Sequence, residues 1–599
     1  MKTKLRTHNC GELRIEHVGQ TVRLCGWVQK SRDLGYILFV DLRDRYGITQ
    51  ISIKSEAAEI YQEARKLGRE FVISVSGKVV ERESKNANIS TGNIELIPES
   101  LEILNEAKLP PFLIENETDG LEDIRMTYRY LDIRRPKMAY NLMLRAKVAK
   151  AIREYLDNQA FVEVETPFFI KSTPEGARDF LVPSRLNAGT FYALPQSPQI
   201  LKQLLMVAGL DRYYQIVKCF RDEDFRGDRQ PEFTQIDCEM SFVEQEDIFT
   251  IFGGMVRHVF KECIGVALPE ELPRMSYQDA IRYYGSDKPD LRFDCKIVDL
   301  NEAVAGTDFG VFNRLIDDHG LIAGINAKGC AKYSRKQIDA LTKFVKAPHR
   351  GASGLVYIKY NEDGSIKSSI DKFYTTEHLQ KIGEIAGVEK GDLLLIVADQ
   401  LTNKTRKILG NLRLHLAKQE DWIDPQAWSV LWVVDFPLFE EDEETGELTF
   451  AHHPFCMPRP QDVQYLYTDP KRVYAQSYDM VMNGNELCSG SIRIHKKEVQ
   501  NKIFDILGLT EAEQEQKFGF MLNAFEYGAP PHGGCAFGLD RWVMLLAGED
   551  SIRDVIAFPK TSGGRDLMMD APATVPESDL TDLHISILKV EGREVDNDQ

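Results

Sequence analysis

The sequence predicts an α+β chain of several domains, and three observations carry that expectation. Its 599 residues exceed what a single hydrophobic core usually supports. Short β-type runs crowd the first hundred residues, with one helical gap among them. Farther on, strand-rich segments at 213–243 and 428–493 lack the regular strand and helix alternation of a doubly wound parallel sheet. A mainly antiparallel sheet flanked by helices fits them better.

The N-terminal runs lie at 22–28, 37–41, 49–53, 71–79 and 94–97, with Gly26, Gly35, Gly47 and Gly77 in or between them. Residues 55–68 read as helical. Five strands and one helix in this order predict a barrel of the OB type over residues 1–108, a fold that commonly binds single-stranded nucleic acid. Pro110, Pro111 and the polar stretch 115–120 then break the pattern, so 109–140 is expected to be a hinge.

Residues 141–157 place Leu144, Val148, Ile152 and Leu156 on one helical face, ahead of a strand-like 161–165 and Pro167. The sheet domain is expected to start here and to run over 141–291 and 419–565. Between these parts, 292–418 has its own helices and strands, including 334–345 and 355–360, and is expected to be an inserted α+β domain. A charged extension, 566–599, ends the chain, with one strand-like run at 583–590.

Composition removes several function classes. No apolar run approaches the roughly 20 residues that a membrane helix needs, and the first ten residues lack a signal-peptide core, so a cytoplasmic protein without a membrane anchor is expected. Ten cysteines without a CxxC pair or histidines at zinc spacing argue against a disulfide framework or a structural zinc site. The net charge of -18 is a poor footprint for nucleic acid, so any RNA must meet local patches. Residues 1–108, with 17 Lys and Arg against 15 Asp and Glu, are expected to be the least repulsive.

Two segments carry chemistry. Phe220-Arg221-Asp222-Glu223 starts a loop that continues through Arg229, Gln230 and Phe233, between two apolar runs, and predicts a long-looped antiparallel hairpin. Arg221 can offer a planar fork of donors to a phosphate, and Glu223, two residues on, shares its face of the pleat. Near the end, Gly538-Leu539-Asp540-Arg541 precedes a helical run, where an Arg beside a helix N-terminus suits phosphates.

In that order, FRDE with a downstream Arg229-x-x-x-Phe233 and then GLDR opening a helix resemble motifs 2 and 3 of the class II aminoacyl-tRNA synthetases, and the helix, strand and Pro167 resemble motif 1. The segments Thr173-Pro174-Glu175-Gly176-Ala177-Arg178-Asp179, Gln196-Ser197-Pro198-Gln199-Ile200-Leu201-Lys202 and Gly285-Ser286-Asp287-Lys288-Pro289-Asp290 are similar to the bacterial aspartyl-tRNA synthetase family over essentially the whole chain. The resemblance implies an OB-type anticodon-binding barrel and a class II antiparallel-sheet catalytic domain interrupted by the inserted domain.

It also implies site residues. ATP would be met by Arg221, Asp222, Glu223, Gln230, Phe233, Glu486, Gly538, Leu539, Asp540 and Arg541, with Arg221, Glu223 and Arg541 catalytic. Asp479 and Glu486 match carboxylates that hold Mg2+, for which hard oxygen ligands are suited. Aspartate would be met by Glu175, Gln199, Ile200, Leu201, Lys202, Arg221, His452 and Arg493, with Lys202 and Arg493 facing its side-chain carboxylate. In the barrel, Phe39, Gln50 and Glu95 match anticodon-reading positions, although a core role for Phe39 is the alternative.

The implied reaction joins L-aspartate to tRNA(Asp) through an aspartyl-adenylate, with tRNA(Asn) as an alternative second substrate. Motif 1 implies a homodimer, so the stripe from Leu144 to Leu156 would pack partly against a second copy, an intrachain core being the alternative. One departure stands out: Glu486-Leu487 is followed by Cys488-Ser489-Gly490, where relatives usually have three glycines.

Overall fold

The computed structural model describes residues 3–173, 176–223, 229–441 and 446–588. The chain forms two compact units, one of residues 1–147, 224–231 and 543–580, the other of 148–223, 232–542 and 581–599.

In the first unit, β1 (Thr21–Asp33), β2 (Ile37–Asp44), β3 (Gly47–Lys54), β4 (Val72–Glu81) and β5 (Ile94–Asn105) close into a barrel in the order β1-β2-β3-β5-β4, with α1 (Ala58–Ala64) between β3 and β4. The period-2 alternation puts Val22, Leu24, Leu38, Val40, Leu42, Ile51 and Ile53 into one core. Each expected strand and the expected helix are present. Gly26 permits closure: a Cβ there would lie 2.4 Å from the Arg43 carbonyl oxygen.

The connector holds α2 (Glu122–Thr127) and α3 (Arg129–Asp132) before α4 (Pro136–Asn158). Buried Asp132 accepts from Arg129 and Arg135 at 2.6 and 2.8 Å. Arg129 reaches on to the carbonyl oxygens of Arg553, Ile556 and Ala557, and Arg135 to those of Glu115 and Asn116. Arg134 lies over the Trp27 ring and meets Glu70, which also pairs with Arg43 at 2.8 Å. Glu70 holds a left-handed backbone (φ 64°), a strain that this buried ion network sustains. On α4, Leu144, Val148, Ile152 and Leu156 are all buried by the chain itself. The expectation that this stripe meets a second copy is therefore corrected: it is intrachain core.

The second unit continues with β6 (Val162–Glu163), β7 (Leu181–Pro183), β8 (Phe191–Ala193), α5 (Gln199–Val207), β9 (Arg212–Phe220), β10 (Glu232–Ser241), α6 (Gln245–Ile264), β11 (Arg274–Ser276) and α7 (Tyr277–Tyr284). The inserted segment then holds β12 (Ile297–Asp299), α8 (Asn301–Val304), α9 (Gly310–Asp317), β13 (Leu321–Ala327), α10 (Arg335–Lys346), β14 (Val356–Tyr360), β15 (Ile366–Ser368), α11 (Thr376–Ile385), β16 (Leu393–Asp399) and α12 (Thr402–Gln419). The remaining elements are β17 (Val430–Val434), β18 (Phe439–Glu441), β19 (Leu448–Phe450), β20 (Ser477–Met482), β21 (Asn485–Ile492), α13 (Lys497–Ile506), α14 (Glu511–Phe525), β22 (His532–Gly538) and α15 (Leu539–Ala547).

One eight-stranded sheet, β11-β17-β20-β21-β22-β10-β9-β6, organises this unit. Only its outermost pairs, β11 with β17 and β6 with β9, are parallel. The inserted segment forms a separate antiparallel sheet, β12-β13-β16-β14-β15. Its strands are apolar on both faces: Ala323, Ile325, Leu393 and Leu395 meet α10 and α12, while Ile322, Leu394 and Ile396 meet α8, α9 and α11. The strand expected at 583–590 does not form within the described residues, where 583–588 follow α16 (Glu577–Asp582) as irregular chain.

Candidate active site

The centre of the large sheet explains why the site lies there. Register aligns Asp237 with Ala536, Ser489 and Asp479 across β10, β22, β21 and β20, and the next row aligns Glu239 with Gly534, Ser491 and Ser477. With a side-chain period of two, these polar and small residues share one face, while Cys238, Cys488 and Cys535 belong to the other. Small residues on β21 and β22 form a floor, and charged groups rise on either side. Gly534 is obligatory: a Cβ would lie 2.3 Å from Glu239 Oε2 and 2.1 Å from the Cys238 carbonyl oxygen.

On one side, α5 delivers Lys202, fully buried, whose Nζ donates to Asp237 Oδ1 at 2.6 Å and lies 3.3 Å from Glu239 Oε2. Arg493 donates through Nε and Nη2 to Glu239, through Nη2 to the Gly534 carbonyl, and through Nη1 to Ser491 Oγ and His453 Nε2. Burial works against the Lys202 ammonium, but Asp237 and Glu239 outweigh it and raise its pKa. Burial likewise works against the Glu239 carboxylate, yet Arg493 and Lys202 hold it below its ordinary value. His453 is pushed down by burial and by Arg493, which keeps the ring neutral and able to accept from that guanidinium.

The sequence marks Lys202 and Arg493 as cations for the aspartate side chain, and the fold adds a carboxylate partner to each. Lys202 and Arg493 are matched by Asp237 and Glu239, because an uncompensated buried charge is costly. Asp237 Oδ2 and Gln199 Nε2 are buried without a hydrogen-bond partner in the same region, one an acceptor and one a donor. Ile200 belongs to the core with Phe455, and Leu201 is half-buried. Glu175 lies outside the described residues.

On the other side, β20 and β21 bring Asp479 and Glu486 together. Asp479 is buried, and its Oδ1 has no hydrogen-bond partner. Burial, then Glu486, push its carboxyl well above the ordinary range, against the pull of the Ser489 hydroxyl. Glu486 meets Lys288 at 2.9 Å, and its carbonyl oxygen accepts from Arg541 Nη1 at 2.7 Å. His452 stands between these groups, its Nδ1 3.2 Å from Ser489 Oγ and its ring edge-on to Phe436; burial lowers its pKa to about 4. Only one of the two side chains that replace the usual glycines faces the site: Ser489 lines the floor, whereas Cys488 is buried on the opposite face beside Cys535.

The predicted hairpin is β9 and β10, with Phe220 opposite Glu232. Arg221 stacks over Phe233 at 5.1 Å, and its buried Nε lacks a hydrogen-bond partner. Asp222 bridges the Arg178 backbone, and Glu223 and Arg229 flank residues outside the description. Arg541 sits on the first turn of α15, directly after Gly538 ends β22, as GLDR predicts. Three expected nucleotide residues serve structure through their side chains. Leu539 is core, Asp540 accepts from the Thr234 amide at 2.7 Å, and Gln230 exchanges two hydrogen bonds with the Lys560 backbone. Their side chains satisfy buried backbone or fill the core.

In the barrel, Phe39 is half-buried on β2 and stands outside the core, with Arg32 over its ring. Gln50 donates to Glu95 at 2.9 Å and accepts from Arg82 at 3.0 Å, while Ser52 donates to Glu95. An aromatic surface thus lies beside a set of donors and acceptors, as base recognition requires.

Asp237, Glu239, His453 and Lys288 are functional candidates to which sequence reading gave no role. A signal existed for the first two: Gln235, Asp237 and Glu239 alternate through the apolar run of β10, marking one polar face in a buried strand.

Comparison with known proteins agrees with this geometry. Residues 121–562 match the family model of class II tRNA synthetases (D, K and N), and residues 22–104 match that of the OB-fold nucleic acid binding domain. The aspartate–tRNA ligase of Porphyromonas gingivalis is 56% identical over 589 residues, covering 98% of this chain and all of that protein. That of Flavobacterium psychrophilum is 55% identical over 584 residues, covering 97% and 99%. Among solved structures, asparaginyl-tRNA synthetase from Pyrococcus horikoshii with asparaginyl-adenylate aligns with a TM-score of 0.59 at 18% identity, over 92% of this chain and 98% of that one. Aspartyl-tRNA synthetase from Entamoeba histolytica aligns with a TM-score of 0.56 at 18% identity, over 93% and 92%. At this identity the two structures speak for the fold alone.

Proposed function

The chain belongs to the class II tRNA synthetases of the D, K and N group, and on that premise we propose how its residues divide the work of an ATP-dependent aspartate–tRNA ligase. The observation that carries the division is the set of buried, partnerless polar atoms around one sheet face: Asp237 Oδ2, Gln199 Nε2, Asp479 Oδ1 and Arg221 Nε. Two are acceptors suited to cationic ligand groups, and two are donors suited to oxyanions.

Asp237 Oδ2 accepts the substrate ammonium, and Gln199 Nε2 donates to a carboxylate oxygen. Lys202 and Arg493, held in place by Asp237 and Glu239, select the anionic side chain: lysine would be repelled, and the asparagine amide would bring N–H donors against groups that can only donate. Arg221 bridges the reacting carboxylate and the α-phosphate, Phe233 offers the adenine a stacking surface, and Arg541 neutralises the terminal phosphates. A carboxylate oxygen of aspartate attacks the α-phosphorus, forming the acyl–phosphate bond as the bond to pyrophosphate breaks. A terminal ribose hydroxyl of tRNA then attacks the aspartyl carbonyl carbon, and AMP leaves. Positioning and charge neutralisation carry both steps, so no side-chain nucleophile is needed.

The donor set also fits Mg2+: Asp479 and Glu486 are hard oxygen ligands, and the raised Asp479 carboxyl with its partnerless oxygen is suited to a cation. Bound there with ATP, the ion would supply neutralisation of phosphate charge. Among the described residues no helix is long and apolar enough to cross a membrane, and a cytoplasmic location is proposed with the activity. A homodimer is proposed through the sheet edge at β6, where Val162, Phe168 and Phe169 are exposed. Light scattering that gives the mass of one chain would oppose it. For the activity, the purified protein should aspartylate tRNA(Asp) with ATP and L-aspartate. No charging of that tRNA would defeat the reading, and equal charging of tRNA(Asn) would make the specificity broader than proposed.

A further inference from the structure

We infer that the exposed face of α10, in the inserted domain, is a docking surface for the phosphate backbone of tRNA. This rests on the tRNA ligase reading and adds a partner to a domain that the pocket chemistry does not use.

Charge distribution is the first support. Residues 292–418 hold 20 Lys and Arg against 15 Asp and Glu, a net +5, more positive than the barrel segment 1–108 at +2. The rest of the chain, 37 against 62, is left at -25. Within the insertion the positive charge concentrates in 328–359, where Lys328, Lys332, Arg335, Lys336, Lys343, Lys346, Arg350 and Lys359 face a single acidic residue, Asp339. The barrel is therefore not the least repulsive region, contrary to the first reading of the sequence.

Geometry is the second support. Ile338, Leu341 and Val345 turn one side of α10 into the core, which fixes the helix and leaves the opposite side to solvent. Lys336, Lys343 and Lys346, spaced i, i+7 and i+10, form an exposed stripe about 15 Å long, and Lys332 precedes it on the approach loop. Among the described residues, none of these four lysines has an ion pair, whereas Arg335 pairs with Asp339 and Lys328 with Asp294. A phosphate backbone supplies anions in a row at this scale.

Helix electrostatics is the third. Cations near the C-terminal end, Lys343 and Lys346, are what the helix dipole favours, so they need no partner to explain them. Lys332 and Lys336 lie at the N-terminal end, where the dipole opposes cations, and the first turn holds no acidic residue. Folding of α10 alone gives no reason for them. An external polyanion does.

The test replaces Lys332, Lys336, Lys343 and Lys346 by Ala together. Aspartate-dependent pyrophosphate exchange should be unchanged, while KM for tRNA rises on the order of tenfold. The slope of log Kd for tRNA against log salt should become shallower by about 3. Replacing the same four by Arg should restore both. Unchanged KM and slope in the Ala variant would overturn the inference, and failure of the unmodified protein to charge tRNA would instead defeat the underlying reading. Hydrogen exchange on the unmodified protein covers a misfolded variant: α10 should gain protection on addition of tRNA. No protection with tRNA, or protection by polyglutamate alone, would overturn the inference and, in the latter case, assign the face to an acidic protein.

Discussion

The two ends of the sheet-centred site are built on opposite principles. At the amino-acid end, Lys202, Asp237, Glu239 and Arg493 satisfy one another almost completely before any substrate arrives. Each end keeps two partnerless atoms for its ligand, Asp237 Oδ2 and Gln199 Nε2 at the first and Asp479 Oδ1 and Arg221 Nε at the triphosphate end, but only at the latter do burial and a neighbouring carboxylate, Glu486, push a carboxyl up, that of Asp479. The charges of the first end are matched by folding, and the Asp479 carboxyl of the second has no cation among the described residues to match it until its ligand arrives. The difference follows from the ligands: a small amino acid must be told from near neighbours by fixed charges, whereas a triphosphate brings four negative charges and a cation of its own.

If that contrast holds, substitutions at the two ends should separate stability from activity. The largest effect is expected for Arg493→Ala, which leaves buried Glu239 to a Lys202 that it shares with Asp237; denaturant unfolding should lose about 3 to 5 kcal/mol. Adding Glu239→Gln should return part of that loss. At the other end, Arg221→Ala should lower kcat/KM for pyrophosphate exchange roughly 10²- to 10³-fold, with the unfolding midpoint unchanged. An equal loss of stability there would break the contrast. Ser489→Gly removes one hydroxyl from beside Asp479 and His452 and should change KM for ATP by no more than about tenfold, corresponding to about 0.5 to 1.5 kcal/mol.

The smallest effects are pH shifts of opposite sign. Glu239 titrates below its ordinary value in the fold, so its stabilisation is complete above the ordinary carboxylate range and is lost as pH falls through its lower folded value. Asp479 titrates above its ordinary value, so its contribution favours the fold in acid and is lost as pH rises through its higher folded value. Without nucleotide, Asp479→Asn should therefore stabilise the protein at neutral pH, and Glu239→Gln should destabilise it. Denaturation curves at several pH values would check both signs.

Much of this was legible in the sequence, for identifiable reasons. The barrel strands were marked by short alternating runs between glycines, and GLDR placed Arg541 on the first turn of a helix after a strand. The stripe from Leu144 to Leu156 showed its period but not what would cover it, since an intrachain core and a dimer seam use the same spacing. The pairing of Lys202 with Asp237, 35 residues away, and of Arg493 with Glu239, 254 residues away, was illegible because the packing of α5 on the sheet and the order of the sheet's strands, not local pattern, bring them together. The side-chain duties of Gln230 and Asp540 were hidden likewise, each set by a backbone group distant in sequence.

The central claim is that a prebuilt, charge-matched pocket selects an anionic side chain for activation. Pyrophosphate exchange driven in turn by L-aspartate, L-asparagine and L-lysine measures it directly. Exchange with aspartate at least a hundredfold above the other two is the predicted result, and exchange with asparagine or lysine at a comparable rate would contradict it.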